Sequence, residues 1–385
     1  MTNKHIAYIC ADSGIPVYGN KGASIHVQAI TRAYLRAGHR VTLFASRYDG
    51  PTPPGLEHIR TVPLPAPPKG STLERAEAAL AARAETQRLL AAHRPYDLIY
   101  ERYSLWSDAG MTYAAATHTP GILEANAPLI EEQRTHRELV LPEQAATIAA
   151  NNFALAKSII AVSPGVAAYL AQWPHQHIAT IANGVDPAPF AAARENATRH
   201  DDHIHIHIGF LGTLKPWHGL PLLVDSFARV HAAEPRAHLH IIGDGPGRAD
   251  LEQDLAARGL STCATLHGAI AASDVPAHLA TLDIATAPYP QQENFYFSPL
   301  KIYEYLAAGL PVVTTRVGHL HEVVHHGEDG LLVPPDDPAA FAQAILELAR
   351  DPARRSHMGQ NGQARVAREH SWDAVAQQIL ALADA

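Results

Sequence analysis

A chain of 385 residues exceeds what one hydrophobic core normally covers, which predicts two domains. With 47% hydrophobic and 18% charged residues, a formal charge of −8 and a pI near 6.3, it has a soluble globular composition and lacks the basic excess of a general nucleic-acid binder. Cys10 and Cys263 lie in different halves and imply no disulfide framework, no apolar run reaches the roughly 18 residues that span a bilayer, and the start MTNKHIAYIC is too short and polar for a signal peptide. The expected setting is the cytoplasm, with peripheral membrane contact left open.

Residues 5–10 (HIAYIC) form a short apolar run, followed by a polar loop with Gly14, Gly19 and Gly22, a helical stretch over 23–37 closed by Gly38, and a strand over 41–45. Strand, glycine loop, helix, strand is the opening of a doubly wound α/β domain. The loop lacks G-x-G-x-x-G spacing, and Lys21 precedes Gly22 rather than Ser or Thr, so neither a dinucleotide fingerprint nor a Walker A loop is present. Lys21 and His26 flank a helix N-terminus, which reads either as an acceptor or phosphate site or as a plain glycine turn. Residues 50–70 are proline-rich and read as an extended surface loop; 71–93 read as an alanine-rich helix with a solvated charged face. Strands are expected at 98–100 and 121–123. The second runs into E-A-N-A-P, which puts Glu124 and Asn126 at the carboxyl end of a parallel strand, where such sheets bind ligands. A long helical region with charges from Glu131 to Glu138, a strand at 158–162 and the turn N-G-V-D-P at 183–187 complete this half.

Residues 187–202 lose apolar periodicity and read as a linker, after which the pattern restarts. Strands at 204–211, 239–242, 265–268, 284–287, 312–315 and 331–333, with helices between, predict a second doubly wound domain. The predicted organisation is an N-terminal domain 1–186, the linker 187–202, a C-terminal domain 203–370, and a final helix over 371–385 that packs back on the first domain.

The most informative stretch is S-P-L-K-I-Y-E-Y-L-A-A-G-L-P at 298–311. Ser298 is a favoured N-cap, Pro299 fits the first helical position, and Gly309 can end the helix in a left-handed conformation. The first turn offers the N–H groups of Leu300 and Lys301, the positive helix end and the Lys301 ammonium, which together form an anion site. Glu304, one turn deeper on the same face, can accept hydroxyl hydrogen bonds. Phosphate outside and hydroxyl inside fit a nucleoside diphosphate; a capped helix with a solvated Lys–Glu pair is the plain alternative. Among the 25 histidines, His203, His205 and His207 alternate with isoleucine on one strand face, a poor spacing for a tetrahedral metal site. With His319, His321, His325 and His326 near a glycine turn, they lead to an expectation of no metal and no cofactor.

Several motifs stand in a specific order: GNKGASIHVQAI (19–30), AGHRVT (37–42), IIAVS (159–163), NGVD (183–186), GTLKPWHG (212–219), IIGDGP (241–246), LHGAI (266–270), EYLAAGLPVV (304–313) and HEVVHHGEDGLLVP (321–334). In that order and spacing the chain resembles the retaining GT-B glycosyltransferases of family 4. The resemblance implies an α/β fold of two Rossmann-like doubly wound parallel-sheet domains facing across a cleft, the first holding an acceptor and the second a nucleotide diphosphate sugar. It implies Glu304 at the donor ribose, the Leu300 and Lys301 amides at the diphosphate, the Ile270 backbone at the base, and Gly22 against the diphosphate from the opposite domain. Ser298, Pro299, Gly243 and Glu322 enter the donor set with their motifs. Lys301, Lys215 and Glu304 are the catalytic candidates, and Lys21, His26, Glu124 and Asn126 the acceptor candidates.

Two departures stand out. The family's acidic motif is Glu, seven residues, Glu; Glu304 is the second, but Tyr296 stands at the first, with Glu293 the nearby acid. The usual Arg and Lys after the phosphate-binding strand are Thr213 and His218, and Lys215 and Lys301 replace their charge, since an ammonium needs only proximity. His218 reads either as protonated beside the phosphates or as a surface histidine at a helix start. The leading reading is retaining sugar transfer from a UDP- or GDP-linked donor to a glycan, lipid-linked or small-molecule acceptor. The alternatives are a nucleotide-sugar epimerase of the same fold and a non-catalytic nucleotide-sugar binder.

Overall fold

The computed structural model describes residues 3–19, 21–196, 205–292, 295–296 and 298–385. His203 and Glu293 lie outside these residues, as do positions 197–202 of the expected linker. The chain forms two compact units. One comprises Met1–Asn183, Tyr296–Ser298 and Trp372–Ala385, and the other Gly184–Phe295 and Pro299–Ser371.

The first unit is a seven-stranded, all-parallel sheet of β1 (His5–Cys10), β2 (Arg40–Ala45), β3 (Arg60–Pro63), β4 (Leu98–Arg102), β5 (Gly121–Ala125), β6 (Ser158–Ala161) and β7 (Ile178–Thr180), in the order β3-β2-β1-β4-β5-β6-β7. Its helices are α1 (Gly22–Arg36), α2 (Thr72–His93), α3 (Ala109–Thr117), α4 (Leu129–His136), α5 (Pro142–Leu155) and α6 (Pro164–Leu170). All six residues of β1 are buried, which is why it reads as an unbroken apolar run rather than an alternating one. α2 begins with a capping box in which the Ser71 hydroxyl accepts from the Glu74 N–H and the Glu74 carboxylate accepts from the Ser71 N–H.

The second unit carries α7 (Pro187–Asn196) and a six-stranded, all-parallel sheet of β8 (Ile206–Leu211), β9 (Ala237–Ile242), β10 (Ala264–Gly268), β11 (Ile284–Ala287), β12 (Val312–Thr315) and β13 (Gly330–Val333), in the order β10-β9-β8-β11-β12-β13. α8 (Leu220–Ala233), α9 (Arg248–Ala257), α10 (Val275–Ala280), α11 (Leu300–Ala307), α12 (Leu320–Val323), α13 (Pro338–Ala349) and α14 (Pro352–Glu369) complete it. Ile206, Ile208 and Phe210 of β8, Leu239 and Ile241 of β9, and apolar residues of α8 and α13 share one core. The last helix, α15 (Trp372–Asp384), buries Trp372, Val375, Ile379 and Leu380 in the first unit, where it packs on α1.

Four local expectations change. Residues 187–196, read as linker, are helical, with Phe190 buried as an anchor that a periodicity count over so few apolar residues misses. The proline-rich 50–70 stretch contains the edge strand β3, whose Pro63 comes last, and an edge is where a sheet tolerates proline. The three-residue edge strand β7 has too short a pattern to be read. Ser298 does not cap α11: Pro299 is the N-cap, with ψ 77° outside the helical range, and no side chain caps this helix. The Ser298 hydroxyl is buried without a partner among the described residues.

Candidate functional site

In both sheets the strand order reverses once, between β1 and β4 and between β8 and β11, and the carboxyl ends beside such a reversal are where open α/β sheets bind ligands. In the six-stranded unit the loop after β8 carries Gly212, Thr213, Lys215 and His218. The strand end of β9 carries Gly243, and α11, after β11, brings Lys301 and Glu304.

Lys301 is 8% exposed, and its Nζ has no hydrogen-bond partner among the described residues. The ammonium lies 4.2 Å from the Phe210 ring centroid and 5.5 Å from that of Tyr289. A Cβ on Gly212, whose φ is +142°, would stand 2.8 Å from this nitrogen, so the glycine keeps the loop directly over it. Gly243, at φ +136°, is equally constrained: a Cβ there would lie 2.1 Å from the Gly212 carbonyl oxygen. Intrahelical bonding in α11 begins with the Ile302 N–H donating to the Pro299 carbonyl at 2.9 Å, which leaves the Leu300 and Lys301 N–H groups at the open end. Burial pushes the Lys301 pKa down to about 7, and Glu304 opposes that shift. Burial likewise raises Glu304 to about 7 against the pull of Lys301.

His218 donates from Nδ1 to the Thr213 carbonyl, which fixes its tautomer. Burial, then Lys301 and Lys215, lower its pKa to about 4, so the imidazole is neutral rather than protonated. Lys215 lies over the exposed Trp217 ring at 5.1 Å and, with Thr213 exposed, borders the same loop. Ile270 follows β10 and is half-buried; Glu322 is an exposed acid on α12.

In the seven-stranded unit Glu124 is the centre of a buried network. His26 donates to Oε2 at 2.9 Å, Arg102 to Oε1 at 2.9 Å, and the Tyr100 hydroxyl and Asn126 amide also donate to this carboxylate. At 2% exposure Glu124 contacts its own unit rather than solvent, and Asn126 is bound to it. Glu124, one of the expected acceptor contacts, is thus held by four donors that converge on its carboxylate from α1, β4 and the chain after β5. The His26 ring packs edge-on against Trp372 at 4.8 Å. Lys21 donates to the Gly14 carbonyl at 3.1 Å, and Gly22 has open space around it. Tyr296 donates to Glu132 within this same unit.

The aromatic support under Lys301, from Phe210 and Tyr289, was not read from the sequence, although Phe210 stands two residues before Gly212. Tyr100 and Arg102 were also missed; the signal was the polar residues in the strand run L-I-Y-E-R, beside β5, in which Glu124 is the last residue but one. The histidines of β8–β10 pair with one another: His207 Nδ1 lies 2.9 Å from His240 Nε2, and His240 Nδ1 lies 3.0 Å from His267 Nε2. Among the described residues no group of three or more side chains is arranged to hold a metal ion.

Two family models match the chain: Glycosyl transferases group 1 over residues 205–351 and Glycosyltransferase Family 4 over residues 20–189. D-inositol 3-phosphate glycosyltransferase of Arthrobacter sp. (strain FB24) is 26% identical over 367 residues, covering 88% of this chain and 84% of that protein. Alpha-D-kanosaminyltransferase of Streptomyces kanamyceticus is 26% identical over 189 residues, 49% of this chain and 47% of that one. Among solved structures, sucrose-phosphate synthase from Thermosynechococcus elongatus superposes with a TM-score of 0.73 at 24% identity, covering 99% and 98% of the two chains. Anabaena Alr3699/HepE in complex with UDP and glucose gives 0.71 at 20% identity, covering 98% and 99%. At these identities the structural likenesses carry the fold.

Proposed function

Because the chain belongs to the family 4, group 1 glycosyltransferases and has their GT-B fold, we propose that it transfers a sugar from a nucleotide diphosphate sugar, UDP- or GDP-linked, to an acceptor hydroxyl with retention at the anomeric carbon. The observation that carries the donor reading is Lys301, a buried ammonium without a hydrogen-bond partner among the described residues, at the open end of α11 beneath a loop that only glycine allows so close.

In this reading the Lys301 ammonium and the Leu300 and Lys301 amides hold the diphosphate, with Pro299 and Ser298 setting the entry of the helix. Lys215 adds a second positive charge, and Thr213, His218 and Gly243 shape the loop around the phosphates. Glu304 accepts from the ribose hydroxyls, the Ile270 backbone meets the base, and Glu322 lies on the sugar side. HepE, whose fold the chain shares, was solved with UDP, which makes UDP the first nucleotide to test. In the seven-stranded unit Lys21 and His26 serve the acceptor side, Glu124 with Asn126 positions His26, and Gly22 is on the diphosphate side. The acceptor is a glycan, a lipid-linked sugar or a small molecule.

The reaction breaks the bond from the anomeric carbon to the diphosphate oxygen and forms one to the acceptor oxygen on the same face. The acceptor proton passes to the departing phosphate, so no protein nucleophile is needed. Fixed N–H dipoles and lysine charge at the diphosphate stabilise the charge that develops there.

The test is a thermal-shift screen against UDP, GDP, ADP, TDP and their sugar conjugates, repeated with Lys301→Met and Gly243→Ala. A ligand that binds only the folded state at about a hundredfold excess over Kd stabilises by roughly 2.7 kcal/mol. One nucleotide class raising Tm, with the shift lost in both variants, is the expected result. No shift with any nucleotide in a folded protein overturns the donor reading.

A further inference from the structure

The seven-stranded unit encloses a cavity of about 390 Å³ at the point where its strand order reverses, walled by the chain after β1 and after β4 and by α2 and α4. None of the residues assigned to the acceptor above lines it. Ser104 and Trp106 form part of one wall, Arg75 and Arg83 come from α2, and Glu132 and Arg137 come from α4 and the residue after it.

The charges on these walls are not equivalent. Arg83 donates from Nε to the buried Asp108 at 2.6 Å and is neutralised from behind. Glu132 accepts from Tyr296, and Asp12, which also lines the cavity, accepts from the Gly14 N–H at 2.7 Å. Arg75 and Arg137 have no carboxylate partner among the described residues, whereas their helix neighbours Arg88 and Arg134 are paired with Glu85 and Glu131. Glu138 is the one wall carboxylate without a side-chain partner among the described residues, so the unpaired charges on the walls are two guanidinium groups and one carboxylate. Ser104 is 5% exposed, and its hydroxyl has no partner among the described residues, a cost that folding alone does not repay.

We infer that this cavity takes an anionic polyol, a hydroxyl-bearing molecule with a phosphate or carboxylate group, and that Arg75 and Arg137 recognise the anion. Guanidinium forks match phosphate and carboxylate oxygens in pairs, and the engaged carboxylates of Asp12 and Glu132 still have lone pairs for ligand hydroxyls. Trp106, half-buried in the wall, offers an apolar face to a sugar ring. The inference rests on the reading of this unit as the acceptor side and names the class of acceptor.

The experiment is calorimetric titration of the full chain at low salt with glucose, glucose 6-phosphate and glucuronate, in the wild type and in Arg75→Ala, Arg137→Ala and the control Arg88→Ala. At least one anionic sugar should bind about tenfold or more tightly than glucose, the scale of one charge-assisted hydrogen bond. The phosphate and carboxylate arms tell which anion is meant. Arg75→Ala and Arg137→Ala should each remove that preference with thermal unfolding unchanged, while Arg88→Ala retains it. Equal binding of glucose, absence of saturable binding by both anionic sugars, or a preference that survives both cavity variants overturns the inference. UDP titrated into the same samples keeps the two readings apart: anion binding without UDP binding sinks the donor reading and leaves the cavity.

Discussion

Tyr296 donates its hydroxyl hydrogen to Glu132 at 2.6 Å, and the Ser163 hydroxyl donates to the Tyr296 carbonyl, so the residue at the first position of the acidic motif is fastened inside the seven-stranded unit. A carboxylate at this position would face another carboxylate. Tyr296→Glu should therefore cost about 2 kcal/mol at pH 7, the lost hydrogen bond plus like-charge repulsion, and Tyr296→Phe about half of that. The repulsion raises the carboxyl pKa in the folded state, so the extra deficit of the glutamate is present above the carboxylate range and fades as pH falls through it. Urea midpoints at pH 7 and pH 4 check this; equal stability of the two variants at pH 7 would count against the contact.

Lys301 must be charged to hold a diphosphate, yet burial lowers its pKa from 10.5 to about 7. Nucleotide binding at pH 8 should take up protons, approaching one per site, seen as a binding enthalpy that depends on the ionisation enthalpy of the buffer. The unfolded lysine holds its proton to 10.5, so between about pH 7 and 10.5 the unfolded chain binds more protons and stability rises with pH. Lys301→Met should remove both effects, raise the melting temperature of the unliganded protein, and weaken nucleotide binding by roughly tenfold or more.

For Glu124, burial alone would raise the pKa, but His26, Arg102 and Tyr100 outweigh it and hold the carboxyl well below its usual range. This contribution to stability is complete above the unfolded value of 4.5 and is lost as pH falls below it. Glu124→Ala leaves Arg102 and His26 buried without their partner and should cost about 3–5 kcal/mol in denaturant unfolding at pH 7. A loss below about 1 kcal/mol, the size of one ordinary hydrogen bond, would mean that the network is incidental.

The imidazoles of His207, His240 and His267 are hydrogen-bonded in series across β8, β9 and β10. Burial, then the neighbouring histidines, lowers His240 to about 3, and His238 and His267 also lie below their usual 6.5. These groups are neutral when folded and bind protons on unfolding, so stability is complete above pH 6.5 and falls as pH drops toward the folded values. Each such histidine steepens the fall by up to about 1.4 kcal/mol per pH unit. Urea unfolding at pH 7, 6 and 5 should show this slope, reduced in His240→Leu; parallel behaviour of wild type and variant would remove the ladder as its source.

The legible parts of this protein were those set by local rules. β1 is an apolar run because both sheet faces are covered, and Ser71 with Glu74 announces α2 because the capping box is complete within four residues. Gly309 ends α11 in the left-handed region, at φ +67°, as its place after an apolar helix predicts. Lys301 at an open helix end was likewise readable from S-P-L-K. Glu124 was placed correctly at a strand end, but sequence position could not tell a carboxylate that meets a ligand from one claimed by His26 and Arg102, which lie 98 and 22 residues away.

By itself the sequence determined the two doubly wound units, the motif order that marks the family, and the glycines and lysines of the loops after β8 and β9 and at the start of α11, because short-range backbone geometry and periodicity carry that information. Only the tertiary structure decided which charges are free. Burial strips water from Lys301 and gives it aromatic rings in place of a carboxylate. Distant strands complete the shell of Glu124, three neighbouring strands join the histidines, and several chain segments line a cavity in which Arg75 and Arg137 have no carboxylate partner among the described residues. Partner choice depends on which side chains share a desolvated volume, a property of the packed fold and of no single stretch of sequence.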